Sequence, residues 1–183
     1  AEHAHPPHLR QLARQVQHNL RHQHRWASLA VHTHSCHETR PGERLPLLRP
    51  LLSGLPQQRL YLHPDEQIEL LEAEAEANTT GSGHHSAGQA HRPAQTKAEP
   101  APEPEWVLPT HAHEKWTLRN FALIFDHIPP VPPEPDNEAG GGGEEQLLAP
   151  WRKTKRLVLA TVDTDSTITY YIVHEGVVKP RQN

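Results

Sequence analysis

The chain has 183 residues, 34% of them hydrophobic, with a formal net charge of −4 and a pI of about 6.5. That is the length of one domain but less apolar material than the roughly 45–50% usual for globular proteins, so one modest core carrying disordered insertions is expected. The charge balance gives no whole-chain case for nucleic-acid binding, no apolar run approaches the roughly 18 residues of a membrane span, and the single cysteine, Cys36, cannot close an internal disulfide.

One cysteine fits a reducing compartment, nucleus or cytoplasm. The 17 histidines would turn the chain strongly cationic on mild acidification. No signal peptide is evident; the sequence starts at Ala1 and contains no Met, as in a processed chain or a fragment.

Residues 8 to 31 read as an amphipathic helix, with Leu9, Leu12, Ala13, Val16, Leu20, Ala27 and Val31 at three- and four-residue spacing behind Pro6-Pro7. Its other face is His, Gln and Arg. A basic amphipathic helix can serve a membrane or a partner, but a helix covering a sheet is the simpler reading. His32, His34, Cys36 and His37 invite a metal hypothesis. No second cluster has zinc-finger spacing, and Pro41-Gly42 follow, so a His-rich surface loop is expected.

Residues 45 to 62 are apolar but broken by Pro46, Pro50 and Pro56, which predicts extended segments and turns, with Arg59 to Leu62 a short strand. Pro64-Asp65-Glu66 open a helix to about Ala75, capped at His63 or the residue before it, with Ile68 and Leu71 inward and Leu70 a further candidate. Residues 77–104 are low-complexity and read as a disordered insertion. Trp106-Val107-Leu108 form a strand ended by Pro109. A helix follows over about 114 to 128, with Thr117 able to cap a shorter version. Residues 129–146, Pro-rich then Gly-rich, read as a second disordered insertion.

The stretch 155 to 180 is the only one that reads as continuous buried β structure. Leu157, Leu159 and Thr161 fall on one face of a strand, and Val158, Ala160 and Val162 on the other, so this strand needs cover on both sides. Asp163 to Ser166 make a turn, Thr167 to His174 a second strand, and Glu175-Gly176 another turn with Gly176 at positive φ. Val177-Val178 are closed by Pro180. The sum is α/β: a small mixed β-sheet with flanking helices in a single domain over 8–183, interrupted by the two insertions.

No phosphate loop and no nucleophile elbow is present. Asp163 and Asp165 lack further carboxylates nearby, which favours a turn over catalysis or Mg²⁺ binding. Tyr170 or Tyr171 with His174 and Lys179 contains the groups of a metal-independent ribonuclease. In a strand Tyr170 and His174 share a face but stand roughly 13 Å apart, too far for one scissile phosphate. Arg152, Lys153 and Arg156 are basic enough for a phosphate contact, although a charge cluster is usually a solvated surface.

At these residues a family resemblance appears. LVLATVDTDSTITYYIVHEGVVKP resembles the C-terminal end of tRNA-splicing endonuclease subunits. EWVLPTHAHEKWTLRNFALIFDHI and SGLPQQRLYLHPDEQIELLE are similar to the small non-catalytic subunit of fungi. The resemblance covers residues 8 to 74, 105 to 128 and 149 to 183, in the family's order. It implies the endonuclease α/β fold and membership of a heterotetramer of two catalytic and two structural subunits that excises introns from precursor tRNA. Of the family's catalytic Tyr, His and Lys, only Lys155 has a counterpart. The His would fall near Pro102 or Glu103, and the Tyr inside an insertion without tyrosine. An inactive subunit without cofactor or metal is therefore implied, with Lys155 in a packing or electrostatic role.

The resemblance also implies docking through the C-terminal strands, with Tyr170, Ile172, Val173, Val177 and Val178 as interface. Asp163 and Asp165 become an acidic loop offered to a partner. The implied partners are the catalytic and structural subunits, with precursor tRNA reached through the complex. An unpaired strand edge would permit a homodimer of the isolated chain, and the expected location is the nucleus, with the cytoplasm as the alternative. The alternatives are an active ribonuclease using Tyr171, His174 and Lys179, and a His-rich metal-binding adaptor centred on His32 to His37.

Overall fold

The computed structural model describes residues 5–40, 43–80, 100–133, 151–152 and 154–177, with the backbone alone for 36–40, 43, 74 and 77–80. Eight elements follow in order: α1 (Pro7–His22), β1 (Ala27–Arg40), β2 (Glu43–Leu55), α2 (Pro64–Thr80), β3 (Glu105–His111), α3 (Leu118–His127), β4 (Arg156–Val162) and β5 (Ile168–His174). The strands form one sheet in sequence order. The β3–β4 pair is parallel and the other three are antiparallel. The fold is thus α/β with a five-stranded mixed sheet.

Strand β4 carries the two apolar faces read from its sequence, and each has its cover. Val158, Ala160 and Val162 pack with Ala13, Val16 and Leu20 of α1. Leu157 joins Ile124 and Phe125 of α3, together with Trp106, Leu108 and Ile128. The parallel β3–β4 pair needs a crossover, and α3 lies on it.

Helix α1 stops at His22, well short of the expected residue 31. Asn19 O accepts from the N–H groups of Gln23 and His24, Arg25 adopts φ 53°, and Trp26 N–H donates to Leu20 O at 2.9 Å. This reversal buries the Trp26 ring, whose burial outweighs continuing a helix. Nothing in Gln23-His24-Arg25 is a helix breaker, so the stop has no local signal.

The residues expected as a His-rich loop form β1 instead, paired with β2 through a register that shifts between Ala27 and Ala30, His32 and His34, His34 and Glu38, and Glu38 and Arg40. Likewise 43–55 is a strand, not a set of extended pieces and turns, while 59–62 is not a strand. Pro46 pairs with His34 between two of the register shifts, where a strand tolerates the missing donor. Pro109 does not end β3, which runs to His111. The β2 ladder stops at Val107, so Pro109 lies past the partner it would have had to donate to.

Helix α3 starts at Thr117, whose hydroxyl accepts from the N–H of Asn120. At its other end the carbonyls a helix leaves unsatisfied find partners. Lys155 Nζ donates to Phe125 O at 2.7 Å and Ser35 Oγ to His127 O at 3.2 Å. Just beyond, Trp106 Nε1 donates to Pro129 O and Arg152 Nε to Pro130 O. Residues 129–133, assigned to an insertion by composition, thus dock on the core, and 134–146 lie outside the described residues.

Helix α2 opens at His63, whose Nδ1 accepts from Asp65 N–H and whose carbonyl accepts from Gln67 N–H. It continues through 77–80 to Thr80. Ile68 and Leu71 do not face inward: both are about half exposed, because α2 is not packed on the sheet as α1 and α3 are. Residues 81–99 of the first insertion lie outside the described residues, and 100–104 lead into β3.

Candidate docking edge and the charged base of the sheet

Strand β5 is a sheet edge: it bonds to β4 from Val162↔Ile168 to Arg156↔His174, and its other side has no strand among the described residues. Register divides its side chains. Ile168, Tyr170, Ile172 and His174 face the α1 side, and Thr169, Tyr171 and Val173 the α3 side. Tyr170 is held inside the domain. Its hydroxyl donates to Asn19 Oδ1 of α1 at 2.6 Å, and burial pushes its pKa up to about 12. Val173 packs on the α3-side core. Tyr171, 55% exposed, and Ile172, 38% exposed, stand out on opposite faces of the same edge, and Val177 is almost fully exposed. Val178 lies outside the described residues.

The β4–β5 turn is built by its own carboxylates. Asp163 N–H donates to Thr167 O and Ser166 N–H to Asp163 O, with Ser166 at φ 70°. Asp163 Oδ1 accepts from Thr164 N–H at 2.6 Å and Asp165 Oδ1 from Thr167 N–H at 2.8 Å. The backbone and hydroxyl of Thr167 hold the Asp165 carboxyl below its usual range. Both acids are exposed, so a hydrogen-bonded turn presents two negative charges beside the open edge. Gly176, at φ 80°, makes the turn after β5.

The structure does not bring Tyr171 and His174 together, because they lie on opposite faces of β5; Lys179 lies outside the described residues. His174 meets Tyr61 edge-on, with ring centroids 4.6 Å apart. Its Nδ1 is buried without a hydrogen-bond partner among the described residues. Burial, then the charges of Arg156 and His63, push its pKa down, which favours the neutral ring. Lys155 is engaged by the Phe125 carbonyl.

Arg152 and Arg156, weighed from sequence as a phosphate contact against a solvated surface, are both buried instead. Lys153 lies outside the described residues. Arg156 Nε donates to Glu105 Oε1 at 3.0 Å and Arg152 Nη2 to Glu105 Oε2 at 3.3 Å. Both guanidinium groups also reach Glu103, at 2.7 and 3.2 Å, and Arg59 links Glu103 to Glu66. Burial raises the Glu103 pKa, but the hydrogen bond and charge of Arg59, then the charges of Arg156 and Arg152, outweigh it and hold the carboxyl below its usual range. Three acids thus balance three guanidinium groups, tying together the start of α2, the approach to β3 and the start of β4. Sequence reasoning missed this cluster, whose members lie 44 to 53 residues apart in their longer pairs. No local signal announced it, because Arg and Glu are rarely buried unless paired and these partners are distant in sequence.

Of the residues considered for metal, His32 Nε2 lies 2.8 Å from Ser53 Oγ and its ring packs edge-on to Trp106. His34 Nδ1 lies 2.9 Å from Thr33 Oγ1. The side chains of Cys36 and His37 are outside the described set. Among the described residues no group of three or more His, Cys, Asp or Glu is placed to hold a metal ion, and no helix is long and apolar enough to cross a membrane.

Residues 15–183 match the family model described as Sen15 protein. Over 179 residues the chain is 40% identical to a Neurospora crassa protein described as probable tRNA-splicing endonuclease subunit tsp-1, a span of 96% of this chain and 67% of that relative.

Proposed function

The chain belongs to the Sen15 family, and on that premise we propose that it is a structural, non-catalytic subunit of a nuclear tRNA-splicing endonuclease. It docks on a catalytic subunit through the open edge of β5. The observation that carries this reading is that edge. Tyr171 and Ile172 stand exposed on its two faces, its outer backbone has no strand partner among the described residues, and a preformed acidic turn lies at its start. Strand addition to such an edge takes affinity from backbone hydrogen bonds and specificity from alternate side chains. The Asp163–Asp165 turn offers charge complementarity to a basic pocket on a neighbouring subunit of the heterotetramer.

A non-catalytic role is supported by two placements. Lys155, the one counterpart of a catalytic residue, donates to the end of α3. Glu103, near the position of the family's histidine, is engaged by three arginines. Both groups serve the fold. The test is co-expression with the catalytic subunits of the same organism, then size-exclusion chromatography and cleavage of precursor tRNA. Co-elution with one of them, with cleavage only by the assembled complex, is the expected result. Elution alone, or cleavage by the isolated chain, overturns the reading.

A further inference from the structure

The net charge of −4 conceals a segregation of charge. From His3 to His37 the sequence has four Arg and nine His and no Asp or Glu, whereas α2 contains Asp65, Glu66, Glu69, Glu72, Glu74 and Glu76. Helix α1 turns the basic residues outward, since Ala13, Val16 and Leu20 are buried against the sheet. Arg14, His18, Arg21 and His22 lie on the opposite side, all exposed, followed by exposed His24 and Arg25. Among the described residues Arg14, Arg21 and Arg25 make no ion pair. Arg14 and Arg21 are two helical turns apart, about 10 Å along the axis, and no carboxylate of α1 lies between them.

We propose that this outer face of α1 binds the phosphate backbone of RNA. This deepens the endonuclease reading and rests on it for the identity of the RNA, a precursor tRNA. Three kinds of observation favour RNA over other polyanions or a bilayer. The apolar stripe of α1 is already consumed by the sheet, so the helix has nothing to insert among acyl chains, as an interfacial helix must. Its outer face offers guanidinium groups for phosphate, and Gln11 and imidazole N–H groups for phosphate or ribose hydroxyls. Finally, the end of α1 adjoins β5: His24 packs edge-on to Tyr170 at 5.1 Å, and Asn19 holds the Tyr170 hydroxyl. The basic face therefore lies next to the edge where a catalytic subunit is proposed to dock, placing bound RNA alongside that subunit.

The test is fluorescence anisotropy with labelled precursor tRNA, titrated with the full-length chain at several salt concentrations. The Arg14→Glu/Arg21→Glu/Arg25→Glu variant is compared with Lys115→Glu/Arg119→Glu, a charge reversal around α3 on the other face of the sheet. Loss of three phosphate contacts should weaken binding at least tenfold at 0.1 M salt. It should also flatten the dependence of log Kd on log salt by about 2 to 3, whereas the α3 variant binds nearly as well as wild type. The milder Arg14→Gln/Arg21→Gln/Arg25→Gln variant, which keeps good helix formers at the two positions inside α1, should move both quantities in the same direction. Unchanged Kd and slope overturn the proposal, as does an equal loss in the α3 variant, or binding to phosphatidylserine vesicles without binding to RNA. Failure of subunit assembly appears separately, in the elution of the complex, and leaves these titrations to decide the RNA contact.

Discussion

Replacing Glu105 by Gln removes one charge and leaves a side chain of nearly the same shape. The Glu105 side chain is 2% exposed and lies between Arg152 and Arg156, themselves 3% and 7% exposed. In the wild-type cluster three carboxylates offset three guanidinium groups. In the variant two remain, and Glu103 must serve Arg59, Arg152 and Arg156. Removing one member of a buried pair costs about 3–5 kcal/mol, because the remaining charge stays desolvated. Against a total stability of about 5–15 kcal/mol, that is a large fraction. At roughly 2–4 °C per kcal/mol for a chain of this size, Tm should fall by about 6–20 °C. Circular dichroism melts and urea titrations of both proteins measure it. A double-mutant cycle identifies the cause: Arg156→Gln should cost about 1–3 kcal/mol less in the Glu105→Gln background than in wild type. A loss below about 1 kcal/mol, or additive single variants, would refute the reasoning.

Three further perturbations probe other parts of the fold. Tyr170→Phe removes the hydroxyl bonded to Asn19 and should cost about 1 kcal/mol at neutral pH by denaturant titration. The folded tyrosine titrates near 12 rather than 10, so wild-type stability falls as pH rises above 10, and the variant should lack that component. His174→Phe keeps a ring against Tyr61 and deletes Nδ1, which has no hydrogen-bond partner among the described residues. Because the folded His174 pKa lies below the ordinary 6.5, the unfolded chain takes its proton first and wild-type stability drops as pH falls through that value. The variant's melts between pH 7 and 5 should show a shallower loss, and parallel profiles would exclude the titration of His174. Gly54→Ala places a Cβ 2.6 Å from Leu29 Cδ2 and 3.0 Å from the Trp26 ring. Overpacking at this crossing of β1 and β2 should destabilise by about 1–3 kcal/mol in a thermal melt.

The parts of the fold legible in the sequence are those fixed by local chemistry. The alternation of Leu157 to Val162 foretold both covered faces of β4. Thr117 announced its cap, Asp163 to Ser166 their turn, and Gly176 its positive φ. What was not legible depended on contacts distant in sequence. The end of α1 is set by burial of Trp26. The histidines of β1 sit in a strand because β2 supplies a partner, with His32 against Ser53 and Trp106. Ile68 and Leu71 follow a helical apolar pattern, yet α2 does not bring them to the sheet. Glu103 sits among prolines and so resembled an insertion, and Arg152 and Arg156 resembled a surface patch, until the fold placed them around Glu105. On β5 the sequence located the strand but not which of its residues face inward: Tyr170 is bonded to Asn19 of α1, whereas Tyr171 and Ile172 are exposed.

The most direct test of the docking edge is assembly of the Tyr171→Asp/Ile172→Asp variant with the catalytic subunit, read by size-exclusion chromatography beside a thermal melt of the isolated chain. Both positions are exposed, so the melt should stay within a few degrees of wild type, while buried carboxylates at the interface abolish co-elution. Wild-type co-elution by a folded variant would contradict docking through β5.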